Sequence, residues 1–267
     1  MRLRLATWNI NSVRLRMPLV EKFLAAEQPD VLCLQETKCP DAEFPSAPLR
    51  KLGYEHFAIA GQKGYHGVAI ASRLSLADIE RGPFCGRGHA RHVSARLMAH
   101  RPVEVHNFYV PAGGDIPDPE LNDKFAHKLE FVDAIRDWTA TSGVAARDSI
   151  LVGDLNIAPL EHDVWSHKAL LSVVSHTPVE VEKLNGALSA GPWVDVMRRH
   201  VPHPEKLYTW WSYRSPDWEK ADKGRRLDHV WVGETLAPAF QSMRVLKDAR
   251  GWERPSDHAP VIVEFEI

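Results

Sequence analysis

Six apolar runs in this chain, most of them rich in β-branched residues, end in or lead out of acid, amide, tyrosine or histidine. They are Leu5–Asn11, Val31–Thr37, Val105–Pro111, Ile150–Asn156, Arg226–Val232 and Ser256–Val263. Runs of this kind read as strands buried on both faces. A polar group at a buried strand end must satisfy a neighbour or hold something, because leaving it unpaired is costly. Six such ends along one chain point to one cleft lined by strand edges.

The text between these runs sets the fold class. Pro18–Gln28 carries Leu19, Val20, Phe23 and Leu24 at helical spacing and stops at Pro29. Tyr54–Ala60, Gly67–Ser72, His92–Ala99 and Val103–Val110 read as four successive strands, antiparallel neighbours of one another. Pro119–Ser142 is the longest predicted helix, with a stripe of Leu121, Phe125, Leu129, Val132, Ile135 and Trp138. Short helices are predicted at Val179–Leu188 and Trp193–His200, and strands at Tyr208–Tyr213, Leu227–Val232, Phe240–Leu246 and Val261–Ile267. Twisted sheets of more than about ten strands tend to split. The expectation is an α/β fold with two packed mixed sheets and helices outside. No Gly/Ser linker interrupts residues 1–267, which read as a single domain.

With 267 residues, 44% of them hydrophobic, the chain can bury one large core. A net charge of −2 excludes a bulk polycation, so a nucleic-acid ligand would need a local basic face. Cys33, Cys39 and Cys85 are too few for a disulfide scaffold and fit a reducing compartment. There is no signal-peptide pattern and no run near the roughly 20 apolar residues that span a bilayer. A soluble cytoplasmic protein without membrane contact is expected.

Glu36 closes a strand beside Gln35 and Thr37, with Asn9 and Asn11 closing another. Read alone, Glu36 suits a solvated strand end. With the amides it suits a hard cation such as Mg²⁺, which takes oxygen ligands and only one or two carboxylates. Asp154-Leu155-Asn156 follows Gly153, which allows a tight exit. The pair suits an Asx-turn leading to a helix cap, or a carboxylate that activates water beside an amide that faces an anion. Asp257-His258 reads as a capped turn, or as a histidine paired with an acid; Asp228, at another strand head, is the candidate partner. Tyr109 precedes a Pro-Gly loop and should stay protonated. Basic clusters at Arg14/Arg16, Lys63/His66, Arg87–His92 and Lys220–Arg226 sit near strand ends, the last following Trp210, Trp211, Tyr213 and Trp218. Loop cations interleaved with aromatics suit a phosphate backbone and an unstacked or missing base.

In order, Trp8-Asn9-Ile10-Asn11, Gln35-Glu36-Thr37-Lys38, Gly64–Ala69, Tyr109-Val110-Pro111, Gly153–Asn156, Tyr208–Arg214, Arg226-Leu227-Asp228 and Ser256–Pro260 resemble the exonuclease III family of abasic-site endonucleases. That family belongs to the superfamily that includes DNase I and the inositol polyphosphate phosphatases. The resemblance spans Leu5 to Phe265. It implies a four-layer, DNase I-like α/β sandwich with the site at one edge of both sheets. It implies Glu36 as main Mg²⁺ ligand, Mn²⁺ substituting, with Asn9, Asn11 and Asp257 nearby. Asp154 would orient or deprotonate the water, Asn156 and Tyr109 would hold the phosphate, and His258 paired with Asp228 would stabilise its charge. Trp210 and Leu227 match the wall of an abasic-site pocket. The implied substrate is double-stranded DNA with abasic sites or 3′ ends, and the default state is a monomer. Three departures bear on the balance of activities: Asp115 where some relatives are basic, Arg225 in the pocket wall where others are apolar or aromatic, and His229 after Asp228. A small-phosphoester phosphatase and a silent DNA-binding module are the alternatives.

Overall fold

The computed structural model describes residues 1–82, 84 and 86–267, so Cys85 lies outside the described residues. Its strands are β1 (Arg2–Asn9), β2 (Val31–Gln35), β3 (His56–Ala60), β4 (Val68–Ser72), β5 (Leu76–Glu80), β6 (His92–Leu97), β7 (Val103–Tyr109), β8 (Ser149–Asp154), β9 (Trp193–Asp195), β10 (Trp210–Trp211), β11 (Gly224–Arg225), β12 (Asp228–Gly233), β13 (Phe240–Val245) and β14 (Val261–Glu266). One six-stranded sheet has the order β13-β14-β1-β2-β4-β3 and the other β5-β6-β7-β8-β12-β9. Each contains one parallel pair, β1 with β2 and β7 with β8; the other neighbours are antiparallel.

Alternation along the strands explains the layers. Leu3 and Leu5 of β1 pack between the sheets with Val31, Ile70, Val105, Ile150, Val152 and Val230. Ala6 and Trp8 point the other way, onto Val20, Phe23 and Leu24 of helix α1 (Met17–Glu27). In the second sheet Phe108 and Leu151 face outward onto Phe131, Val132 and Ile135. Those three belong to the long helix Asp123–Ser142. Central strands are therefore buried on both faces, which is why they read as continuous apolar runs. The result is the expected four-layer sandwich, two mixed sheets with helices outside. Among the described residues no helix is long and apolar enough to cross a membrane.

Several predicted elements are redrawn. The four strands expected between Tyr54 and Val110 do not form one succession: β3 and β4 pair in the first sheet, β6 and β7 in the second. Between them lies β5, an edge strand whose Leu-Ala-Asp-Ile-Glu text is largely solvent-exposed and has no core pattern to find. Trp193–His200 is a short strand followed by a helix from Val196, because the Asp195 side chain accepts from Met197 and Arg198 amides and caps that helix. Tyr208–Tyr213 forms only the two-residue β10, paired with β11 in a separate ribbon. The long helix starts at Asp123, capped by Asn122, which leaves Leu121 75% exposed and off the core stripe.

Candidate active site

Strand direction gathers the site. The parallel β1 and β2 end together, with Asn9 opposite Gln35. The parallel β7 and β8 end with Tyr109 opposite Asp154. Antiparallel β12 begins at that level, with Asp228 opposite Asp154. β14 runs antiparallel to β1, so Asp257-His258, just before it, arrives at the same edge. Four strand ends and two strand beginnings thus meet.

The rim is conformationally unusual. Asn11 (φ 48°), Glu36 (φ 51°), Lys38 (φ 53°) and Asn156 (φ 55°) all lie in the left-handed region. For residues other than glycine such backbone costs of order 1 kcal/mol each and gathers at functional sites. Gly153 is needed for another reason: a Cβ there would sit 1.9 Å from the Phe108 carbonyl oxygen.

Hydrogen bonds knit the strand ends together. Asn9 Nδ2 donates to Glu36 Oε1 (2.9 Å) and to Asp154 Oδ2 (2.8 Å), bridging the sheets. Asn156 donates its backbone N–H to Asp154 Oδ1 (2.9 Å) and its Nδ2 to Asp154 Oδ2 (3.0 Å) and the Val110 carbonyl (2.9 Å). A phosphate contact from Asn156 would exchange for one of these two side-chain bonds. His258 Nδ1 donates to Asp228 Oδ2 at 2.8 Å, and its Nε2 stands 3.6 Å from Asp154 Oδ2. Asp257 accepts from Trp210 Nε1 (2.9 Å) and from Asn11 Nδ2 (3.4 Å).

Electrostatics separates the acids. Burial would raise the Glu36 carboxyl, but Lys38, Asn9 and His258 outweigh it and hold it below the ordinary value. Burial, helped by Asp228 and Glu36, pushes Asp154 up to about 7 against the pull of His258 and Asn9. Burial disfavours the His258 imidazolium, yet Asp228 and Asp154 together raise it to about 10, so it is a cation at neutral pH. Burial, then the charges of Glu36 and Asp154, holds the Tyr109 hydroxyl protonated well above its ordinary range.

A cleft of about 740 Å³ opens on Glu36, Asp154, Asn156, Asp257 and His258 and runs on past Trp210, Leu227 and Arg225. Glu36, an ionised carboxylate on the cleft wall held by the Asn9 amide and the Lys38 ammonium, offers the oxygen ligands that a hard cation takes. Asp154, Asp228 and His258 also lie close enough to chelate, with ligand atoms within 4.8 Å of one another. There, however, His258 Nδ1 is already bound to Asp228 and the ring is cationic, which makes it a poor ligand. Glu36 lines the same cleft as Asp257, and a cation there would take over the Glu36 and Asn11 oxygens that Lys38 now holds.

The three departures find places. His229 is fully buried, and its Nε2 donates to the Ile157 carbonyl (2.8 Å), holding the turn beyond Asn156. Arg225 and Asp115 both line the cleft. Two further residues serve the site without a motif of their own. Lys38 Nζ contacts Glu36 Oε2 (2.8 Å) and Asn11 Oδ1 (2.6 Å); its place two residues after Glu36 was the available signal. Lys128, wholly buried, pairs with Glu180 and donates to the Asn156 carbonyl (2.8 Å) and the Ala112 carbonyl (3.3 Å). It ties the Ala112 and Asn156 loops to the helix that carries Glu180, and nothing in local sequence marks it.

This edge of two mixed sheets, with its amide-bridged acids and His–Asp pair, defines a class: residues 6–258 match the Endonuclease/Exonuclease/phosphatase family, and the chain belongs to it. Within that family it is of the exonuclease III-like AP endonuclease kind. It is 28% identical over 280 residues to exodeoxyribonuclease III of Haemophilus influenzae, covering 99% of this chain and 100% of the relative. An AP endonuclease structure from Archaeoglobus fulgidus superposes with a TM-score of 0.91 at 31% identity, covering 99% of this chain and 100% of that one. A 3′ phosphatase from Neisseria, bound to product DNA hairpin, superposes with a TM-score of 0.88 at 33% identity, with the same coverage.

Proposed function

We propose that this chain is a cation-dependent DNA repair nuclease that cuts the phosphodiester 5′ to an abasic site and trims blocked or ordinary 3′ ends. The observation that carries the reading is the divided set of acids, one held ionised on the cleft and one pushed up to about 7 beside a histidinium. Asp154 Oδ2, oriented by Asn9 and Asn156, would take a proton from the attacking water. His258, fixed by Asp228, would place positive charge against a phosphate oxygen as negative charge develops there. The protonated Tyr109 hydroxyl would donate to the same phosphoryl group. Glu36, with Asn11 and Asp257, would hold Mg²⁺, or Mn²⁺ in its place, with Asn9 positioning Glu36. When bound, that ion supplies Lewis-acid stabilisation of the phosphoryl oxygens and of the departing 3′-oxygen. Trp210 and Leu227 would wall the space for a sugar that has lost its base.

We further propose that residues 1–267 act as one domain and as a monomer in the cytoplasm; the free, buried thiols of Cys33 and Cys39 suit a reducing compartment. The test is a duplex with one abasic site and a matched 3′-blocked duplex, each with Mg²⁺ and with EDTA. Cleavage of either that EDTA abolishes supports the reading. Failure on both, with hydrolysis of small phosphoesters instead, would sink it. Glu36→Ala, Asp154→Asn and His258→Asn should each lower the rate by about 10²–10⁴-fold with the fold kept.

A further inference from the structure

Two adjacent arginines have opposite surroundings. Arg226 is fully buried and neutralised: its Nε and Nη2 reach Asp163 (2.8 and 3.0 Å) and its Nη1 reaches Asp195 (2.7 Å). Arg225 lies mostly buried in the wall of the cleft, and its hydrogen-bond partners are uncharged. Its Nη1 donates to the Val174 carbonyl (3.0 Å) and Ser175 Oγ (2.6 Å), and its guanidinium lies 5.2 Å from the Trp210 ring centroid. Its Nε is buried without a hydrogen-bond partner. Among the described residues it forms no ion pair. The opposite charge it feels comes from Glu180, and that carboxylate is already paired with Lys128. Asp115 shares the cleft without pairing with it.

A part-buried cation with no counter-ion is costly, and an arriving anion relieves the cost. The cleft offers a supply of anions, since the nuclease reading puts a polyanion in it. On that reading the scissile phosphate belongs at the Asp154–His258 end, and the nucleotide on its 3′ side would enter between Trp210 and Leu227. Arg225 stands in the same wall, its guanidinium against the Trp210 ring, which makes the phosphate that follows that nucleotide along the strand the candidate anion.

We infer that Arg225 is a specificity residue that binds the phosphate on the 3′ side of the nucleotide whose 5′ phosphodiester is cut. The inference rests on the nuclease reading. Its planar fork, braced by Val174 and Ser175, is suited to phosphate oxygens. It also replaces a bare aromatic wall by a charged one, so an internal site, which carries that phosphate, gains over a 3′-terminal nucleotide, which lacks it.

The experiment is a cycle on the abasic duplex with Mg²⁺. One partner is Arg225→Gln, the other a neutral methylphosphonate in place of the phosphate 3′ to the abasic nucleotide. Each change alone should lower kcat/KM about tenfold or more, the loss of one charge-assisted hydrogen bond. Both together should cost no more than either alone. Arg225→Lys, which keeps the charge without the fork, should fall between wild type and Arg225→Gln. Independent, multiplying losses overturn the inference, as does an Arg225→Gln rate equal to wild type. Loss from Arg225→Gln that is equal on the normal and the methylphosphonate duplex assigns Arg225 a structural role and overturns it too. If wild type cuts neither duplex, the nuclease reading itself fails and takes the inference with it.

Discussion

Three side chains converge on one oxygen. Asp154 Oδ2 accepts from Asn9 at 2.8 Å and from Asn156 at 3.0 Å, and His258 Nε2 stands 3.6 Å away. Two neutral donors and one cation would hold an exposed carboxylate well below its usual value. Burial and the Asp228 and Glu36 charges win instead, and push it up to about 7. A base with that value ionises near neutrality, where proton transfer from water is most useful. The consequence for rate has a definite sign. Activity should fall as pH drops and Asp154 takes a proton; a cation bound at Glu36 lowers Asp154, so this limb lies at or below pH 7. Activity should also fall in alkali as His258, raised to about 10 by Asp228 and Asp154, loses its charge. Asp228→Asn removes the strongest of the charges that raise His258. The alkaline limb of kcat/KM should then move to lower pH, and an unmoved limb would show that His258 does not titrate there.

At the scale of elements, legibility follows how local each signal is. The central strands were readable because burial on both faces makes them continuously apolar, and the long helix because one stripe faces the sheet. Glu36, Asp154, Asp228 and His258 were readable as polar ends of such strands. β5 was not, since an exposed edge has no pattern, and the division of β3–β7 between two sheets is set by pairing between distant segments. Lys128 was not either. On the sequence it is a lysine within an amphipathic helix; its meaning comes from Glu180, a distant residue that also accepts from the Ser175 and Thr177 backbone N–H groups (2.9 and 3.1 Å). Breaking a buried pair strands the remaining charge at a cost of about 3–5 kcal/mol. Lys128→Met should therefore lower Tm by roughly 10 °C, and should lower kcat/KM by releasing the Asn156 and Ala112 loops. Lys128→Met with Glu180→Gln, which removes the stranded charge and keeps an acceptor for the Ser175 and Thr177 N–H groups, should recover part of the stability but not the loop positions. Equal Tm values for single and double variants would show that the stranded charge is not the cause.

Over the whole molecule, histidine burial sets the acid limit of stability. His229 is fully buried and pushed down to about 3, first by burial and then by the Arg226 charge. Burial likewise holds His92 well below its ordinary value, with His106 adding to it, and lowers His176. In the unfolded chain each returns to about 6.5. Below that pH the unfolded state binds protons that the native state refuses, so stability falls as pH falls toward the folded values. For His229 the loss between neutrality and pH 5 is about 2 kcal/mol, and His92, held well below its ordinary value by burial, acts in the same direction. Asp154 acts in the opposite sense: its raised value lets the native state hold a proton the unfolded carboxylate gives up, so its own strain eases in acid. Against it stand His229, His92 and His176 together with His66 and His127, which burial pushes down to about 3 and about 4. Above neutrality His258 takes over: its raised value stabilises the native state below pH 6.5, and that stabilisation is lost as pH rises toward 10. Stability should therefore peak near neutral pH. Denaturant midpoints at pH 7.5 and 5.0 check the acid side. His229→Gln, which can keep the bond to the Ile157 carbonyl without titrating, should narrow the gap between the two midpoints. An unchanged gap would mean that His229 takes up a proton in the folded state and is not among the groups that limit the protein in acid.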